Sequence, residues 1–270
     1  MAGSRKPLVA LLTDFGTRDP YVAAMKLVIA DRCEAEILDL GHDIGRHDVM
    51  EAAVFLRFAL RTFEARRRTI VVAVVDPGVG SSRRIVAAAR RELVLLAPDN
   101  GLLSLSIDDG WQARSVEREG LFLPGGSSTF HGRDRFAPAA AALAAGAAFD
   151  SLGPPLPIDE LVSLPYEPPR IGVNEVAGTI LSIDRFGNAV TDVDASVLGD
   201  LGQWRALAGE RSIDACARTY AEMEGVAAPF LIAGSGGTVE ISVSGGSAAD
   251  VLQLSRLQAV RFVRVNRVDV

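Results

Sequence analysis

TIVVAVVDPGVG, residues 69–80, decides the fold. From Thr69 to Val75 the run is β-branched and almost unbroken in apolar character, and Asp76 ends it ahead of Gly78 and Gly80. A strand with one wet face alternates apolar with polar residues. An unbroken apolar strand is one buried on both faces, as in a parallel sheet covered by helices. PLVALLT (7–13) repeats the pattern and ends in Asp14. Between these two strands, YVAAMKLVIADR (21–32) and DVMEAAVFLRFALRTF (48–63) carry helical spacing, and EILDL (36–40) is a further strand. IVAAAR (85–90) and LVLLAP (93–98) add two short strands, and PAAAALAAGAAF (138–149) reads as a buried helix. Strand–helix alternation predicts an α/β domain with a mostly parallel sheet.

The texture changes at LGPPLPIDELVSLPYEPPR (152–170), whose six prolines halt regular structure and stiffen the chain. We place the domain boundary there, with an N-terminal domain over 1–165 and a C-terminal domain over 171–270. In the second, VNEVAGTILSIDRFGNAVTDV (173–193), PFLIAGS (229–235), GTVEISVS (237–244) and LQAVRFVRV (257–265) are short β-rich runs with Gly, Ser and Asn turns. They predict a small antiparallel barrel or sandwich.

Composition narrows the function. The 270 residues carry a net charge of −6, which argues against a nucleic-acid partner, since phosphate binding needs a basic face. The basic run at 65–68 precedes an apolar strand and reads as a solvated helix end. Cys33 and Cys216 have no CxxC spacing, so neither a zinc site nor a disulfide framework is expected. No stretch reaches the ~18 apolar residues of a membrane span, and the start lacks the pattern of a signal peptide. The expectation is a soluble, reduced, cytoplasmic protein with no membrane partner.

Ligands of open α/β sheets bind beyond the carboxyl ends of the strands. Two strands end there in aspartate followed by glycine, TDFGTRD (13–19) and VVDPGVGSSRR (75–84). Such ends suit ribose hydroxyls or a cationic group, although aspartate is also an ordinary turn former. TFHGRDRF (129–136) sets His131, Arg133, Asp134 and Arg135 at the mouth of the alanine helix, where free backbone N–H groups hold polar ligands or water. PDNG in LLAPDNGLLS (95–104) is a good turn. DRFGNAVTD (184–192) groups a ring that can stack on a purine with an amide that can pair its edge, although the stretch taken alone reads better as a β-turn. In GHDIGRHD (41–48), Asp43 or Asp48 capping the next helix is a better reading than a metal site. No GxxxxGKS, GxSxG or helix-opening GxGxxG is present.

In order, the pieces are TDFG with D.YV..MK, DPGVG..RR, PDNGLLS, TFHGRD, D.FGNAVT, and GS.G.VEI with GSAA. Together they resemble the S-adenosyl-L-methionine (SAM) hydroxide adenosyltransferases, adenosine-forming SAM hydrolases homologous to the bacterial fluorinase and chlorinase. The resemblance spans almost the whole chain. Leu27 departs from the family's glycine after MK, which touches helix packing rather than chemistry. The resemblance implies an N-terminal α/β domain, a smaller C-terminal β-barrel, and a homotrimer with SAM held between domains of neighbouring subunits. It implies a catalytic set of Asp76, Arg83 and His131, with Asp14 on the ribose diol. Asp184, Phe186 and Asn188 fall on the turn that binds methionine amine and adenine, and Ser235, Ser247 and Ala249 on further methionine and adenine contacts. Asp19, Asn100 and Phe130 fall within shared motifs as further substrate-binding positions. No cofactor and no metal are implied, SAM being the substrate and adenosine and methionine the products.

The implied chemistry is an in-line attack of water or hydroxide on the ribose 5′ carbon. Asp76 and His131 would orient the water and take its proton, with Arg83 favouring hydroxide character. The alternatives are a SAM-dependent halogenase and a protein that binds SAM or adenosine without turnover. The family's halogenases carry tyrosine at the position of Asp76 and lack the Asp–Arg–His set.

Overall fold

A computed structural model describes residues 5–61, 63 and 67–265. They form two compact units that divide between Pro165 and Tyr166. In the first, β1 (Leu8–Thr13), α1 (Tyr21–Ala30), β2 (Glu36–Gly41), α2 (Val49–Leu60) and β3 (Thr69–Val74) alternate as the apolar pattern requires. There follow β4 (Ile85–Arg90), β5 (Leu93–Pro98), β6 (Gln112–Ser115), α3 (Ala137–Ala144) and the short β7 (Pro155–Leu156).

These strands make one sheet in the order β2-β1-β3-β5-β4-β6-β7. The β2-β1-β3-β5 half is parallel. The β5-β4-β6-β7 half is antiparallel, a feature that the strand–helix alternation did not suggest. Its cause is local: only Arg91 and Glu92 separate β4 from β5, and so short a link permits only a hairpin. Arg91 adopts the positive φ of 56° that such a turn demands.

Every residue of β1 and β3 is buried, because both faces of the sheet are covered. Val9, Leu11, Ile70 and Val72 pack with Met25 and Ile29 of α1, Leu143 of α3 and Phe136 just before α3. Ala10, Leu12, Val71 and Ala73 meet α2 through Ala52 and Leu56. Each large aliphatic side chain buried this way contributes about 1.5–3 kcal/mol. The alanine run of α3 is buried everywhere but Ala142, and its small side chains bring the helix close to the strands that carry the site. Leu27 stands exposed on α1, so this departure from the family pattern alters surface rather than the helix packing expected for it. In the basic run, residues 65 and 66 lie outside the described residues, Arg67 pairs with Glu36, and Arg68 donates to the Ala147 carbonyl.

The second unit contains β8 (Arg170–Ile171), β9 (Glu175–Ile183), β10 (Ala189–Asp194), α4 (Ala195–Leu198), β11 (Trp204–Ala208), β12 (Arg211–Ile213) and β13 (Ala215–Cys216). It ends with β14 (Pro229–Ala233), β15 (Thr238–Val243), α5 (Ala248–Leu252) and β16 (Ala259–Arg264). Its nine strands form a largely antiparallel, barrel-like sheet in the order β12-β11-β16-β9-β10-β15-β14-β13, with β8 paired to β9. Val176, Ile180, Val239, Ile241 and Phe262 fill its interior. No helix among the described residues is long and apolar enough to cross a membrane.

Candidate active site

β1 and β3 are parallel neighbours in register, Thr13 opposite Val74, so the aspartates that follow them leave the sheet at the same edge. Asp14 accepts a hydrogen bond from the His47 backbone N–H at 2.8 Å, and the Gly16 N–H donates to the His42 carbonyl at 2.7 Å. These two bonds fasten the turn after β1 to the turn after β2. Within the second turn, His42 is buried against the Thr13 hydroxyl at 2.9 Å and Asp48 caps α2 by accepting from the Glu51 N–H. Among the described residues no group of three or more His, Cys, Asp or Glu is placed to hold a metal ion.

Asp76 lies two residues beyond β3, and its carboxylate receives Arg83. The Arg83 Nε stands 2.9 Å from each carboxylate oxygen, and Nη2 pairs with Oδ2. The same Nη2 lies 2.7 Å from Nδ1 of His131. Asp76 is 9% exposed and His131 3%, so this chain of groups is nearly dry. A guanidinium can only donate, so Nδ1 of His131 must accept. The neutral imidazole therefore carries its proton on Nε2. Burial first, then the charges of Arg135 and Arg83, pulls the His131 pKa below its usual value, outweighing Asp76 and Asp134.

His131 immediately precedes a π-helical turn, Gly132–Phe136, that leads into α3. Such turns disturb the helical ladder and recur at functional sites. Gly132 is tightly packed: an added Cβ would lie 3.1–3.3 Å from the Met25 sulfur and the Phe15 and Phe130 rings, which would have to give way by a few tenths of an ångström. Gly80, at φ +81°, runs so close to the Ser128 carbonyl that a Cβ would come within 2.8 Å. The rest of the polar cluster at the helix mouth serves packing. Asp134 is buried, accepts the Ser127 N–H at 2.7 Å and pairs with Arg133, whose guanidinium lies 5.0 Å over the Phe130 ring. Burial opposes the Asp134 carboxylate, yet Arg133 and the Ser127 N–H hold its pKa below the ordinary value. Arg135 stacks on Phe122.

A cleft of about 720 Å³ opens over these groups, lined by Asp14, Asp19, Asp76, Phe130 and His131 among others. One wall is an aromatic trio in which Phe15, Tyr21 and Phe130 meet edge to face at 5.2–5.9 Å between centroids. Asn100 does not line the cleft. Its amide donates to the Val75 carbonyl at 2.9 Å and its oxygen accepts the Leu102 N–H, which fixes the backbone next to Asp76.

The second unit has its own pocket, about 660 Å³, lined by Asp184, Phe186, Asn188, Tyr220, Ser235 and Glu240 among others. Asp184 organises its loop by accepting from the Phe186 N–H, the Asn188 N–H and the Asn188 amide at 2.8–2.9 Å. Phe186 is left 77% exposed, a bare ring at the pocket's edge. Gly187, at φ +83°, presses so tightly on Ser247 that a Cβ would clash with it, and its carbonyl accepts the Ala249 N–H at 2.9 Å. Ser247 and Ala249 thus stand behind the loop, and the Ser247 hydroxyl caps α5.

A family model described as the SAM hydroxide adenosyltransferase N-terminal domain matches residues 9–153, and its C-terminal counterpart matches residues 178–261. The chain belongs to this family. It is 40% identical to the (R)-S-adenosyl-L-methionine hydrolase of Thermus thermophilus, over 94% of this chain and 99% of that one. It is 28% identical to the fluorinase of Nocardia brasiliensis over 73% and 75% of the two chains. The crystal structure of an uncharacterized conserved protein from Thermotoga maritima superposes with a TM-score of 0.87 at 30% identity, covering 95% of this chain and all of that one.

In this SAM hydroxide adenosyltransferase chain, sequence reasoning passed over Phe15, Tyr21, Tyr220 and Glu240 as lining residues. Phe15 and Tyr21 read as ordinary strand-end and helix residues. Glu240 alternates with Val239 and Ile241, which on a strand signals a solvent-facing side chain; it is buried instead.

The Arg83 contact generates a first prediction. Nitrogen NMR should show His131 as the Nε2–H tautomer at neutral pH, with a titration midpoint below the ordinary value of about 6.5. Arg83→Gln, which removes one lowering charge, should move that midpoint up. A midpoint above 6.5 in the unaltered protein would contradict the arrangement.

Proposed function

We propose that this protein hydrolyses S-adenosyl-L-methionine to adenosine and methionine by attack of water on the ribose 5′ carbon. The observation that carries the reading is the chain of contacts from Asp76 through Arg83 to His131, beside a cleft that Asp76, His131 and Asp14 line. Relatives are named for the (R) sulfonium epimer, and we propose the same epimer as substrate here.

The sulfonium departs as a neutral thioether and needs no acid. Catalysis therefore consists of holding a poorly nucleophilic water in line and stripping its solvation. With Nδ1 taken by Arg83, His131 offers the water a donor at Nε2 and Asp76 offers an acceptor. As the C–O bond forms and the C–S bond breaks, its electron pair moves to sulfur and the attacking oxygen becomes a strongly acidic oxonium. An oxonium is far more acidic than a carboxylic acid, so the Asp76 carboxylate accepts that proton as the base and His131 is the positioning donor. No cofactor enters this reaction. Asp14 holds the ribose diol, with Asp19 and Phe130 beside it, and Asn100 acts by fixing the Asp76 backbone. Phe186 and Asn188 receive adenine, and Ser235 faces the methionine portion. The Asp76 carboxylate, which lines the cleft, opposes a bound halide, and this disfavours halogen transfer.

We propose further that the chain assembles as a homotrimer in which a neighbour's second-unit pocket completes each site. This rests on the family resemblance. Sedimentation velocity should find a trimer, and a fully active monomer would contradict it.

The purified protein incubated with mixed SAM epimers should consume the (R) form, leave the (S) form and release adenosine and methionine in equal amounts. Asp76→Ala or His131→Ala should slow turnover by roughly 10²–10⁴-fold, the usual contribution of a positioned acid–base group. Release of adenine or methylthioadenosine, or a His131→Ala variant as fast as its parent, would overturn the reading.

A further inference from the structure

The pairing of β2 with β1 slips by one residue. Leu11 stands opposite Asp39 but Leu12 stands opposite Gly41, so Leu40 is an extra residue in β2. Bulges are rare between parallel strands and recur beside active sites, where they re-aim a side chain. In a regular strand, side chains three positions apart point to opposite faces. The extra residue offsets that alternation, and Asp39 and His42 meet. Nε2 of His42 stands 3.0 Å from the Asp39 carboxylate, in contact though without the alignment of a full hydrogen bond.

From this pair a chain of polar contacts runs both ways. Outward, Lys26 of α1 donates to the other Asp39 oxygen at 2.6 Å. Inward, Nδ1 of His42 lies 2.9 Å from the Thr13 hydroxyl, and the Thr13 oxygen accepts the Phe15 N–H at 3.3 Å. Thr13 is fully buried and His42 is 5% exposed. Thr13 and Phe15 flank Asp14, and the His42 carbonyl accepts the Gly16 N–H. A lone pair on Nε2 would face the Asp39 carboxylate, so the ring carries its proton there. Nδ1 then accepts and the Thr13 hydroxyl donates, which leaves the Thr13 oxygen free to accept from Phe15. Partial burial opposes the Asp39 charge, but His42 and then Lys26 hold its pKa below the ordinary value, so the chain keeps an anionic anchor. Apolar side chains would fill this space at less desolvation cost; a satisfied polar chain adds a single fixed geometry.

Resting on the assignment of Asp14 to the ribose diol above, we propose that His42 is a positioning residue for substrate binding. It holds the Thr13–Gly16 turn so that the Asp14 carboxylate meets the diol in one orientation, while Asp39 and Lys26 fix the ring. Asp14 already accepts the His47 N–H on one oxygen, so its carboxylate has little freedom to compensate for a shifted turn. His42 touches no substrate; its effect is on the discrimination between a ribose with hydroxyls and one without.

The test uses the full-length protein and two unreactive probes, adenosine and 2′,3′-dideoxyadenosine, which lacks the diol. By calorimetry the unaltered protein should prefer adenosine by at least about tenfold, as for hydrogen bonds to a carboxylate. His42→Ala should cut that preference by at least about fivefold and change dideoxyadenosine binding by less than about twofold. His42→Asn, whose side-chain oxygen can still accept from Thr13, should restore most of the preference. In an Asp14→Ala background, His42→Ala should alter the ratio no further, because it acts through Asp14. An unchanged ratio in His42→Ala, or equal weakening of both probes, overturns the proposal, since a general loosening of the fold does not distinguish the two nucleosides. If His42→Ala does not fold, Asp39→Asn on the half-exposed edge carries the test: the ratio should fall by at least about twofold, and an unchanged ratio overturns the proposal. If Asp14→Ala abolishes the preference and His42→Ala leaves it intact, the proposal fails and the Asp14 assignment stands. If the unaltered protein shows no preference yet turns SAM over, the Asp14 assignment and the proposal both fall and the hydrolase reading stands.

Discussion

One guanidinium organises the first unit. Arg83, its side chain 9% exposed, lies between the Asp76 carboxylate and the His131 ring, and taking such a charge largely out of water costs about several kcal/mol even after relaxation. The cost is offset only if the geometry of the pair is close to ideal, which demands that three separate segments arrive together. β3 delivers Asp76, the loop after it doubles back to present Arg83, and the π-helical turn presents His131. The tight features nearby follow from that demand. Gly80 lets the Asp76 loop touch the Ser128 carbonyl, Asn100 grips the Val75 carbonyl, and Asp134 fastens the segment leading to His131. Phe136 closes the back of the guanidinium at 5.7 Å.

The same contact decides the protonation state that chemistry meets. Because Arg83 cannot accept, it fixes the tautomer of His131, and burial keeps the ring neutral. Hydrogen-bonding roles in the cleft are thereby divided: His131 donates and Asp76 accepts. A proposal that gave His131 the proton would first have to break the Arg83 contact.

Much of this was legible in the sequence, for identifiable reasons. Continuous apolar strands in 8–13 and 69–74 require cover on both faces, and both have it. Asp14 and Asp76 follow those strands, and parallel pairing carries them to one edge without further information. The place of Asp43 and Asp48 before Val49 made either a candidate helix cap, and Asp48 is the one that caps. The antiparallel edge escaped because it depends on a two-residue link rather than on strand pattern. Asn100 read as a turn residue and a ligand contact, yet its amide is committed to the backbone beside Asp76. Glu240 escaped because alternation on a strand reports which face a side chain occupies, and a concave face can be as dry as a core.

The central claim is that water held by Asp76 and His131 attacks the 5′ carbon of SAM. Turnover in heavy-oxygen water, followed by mass spectrometry of both products, tests it most directly. The account predicts one heavy oxygen in the 5′ hydroxyl of adenosine and none in methionine. Label in methionine, or adenosine formed without label, would contradict it.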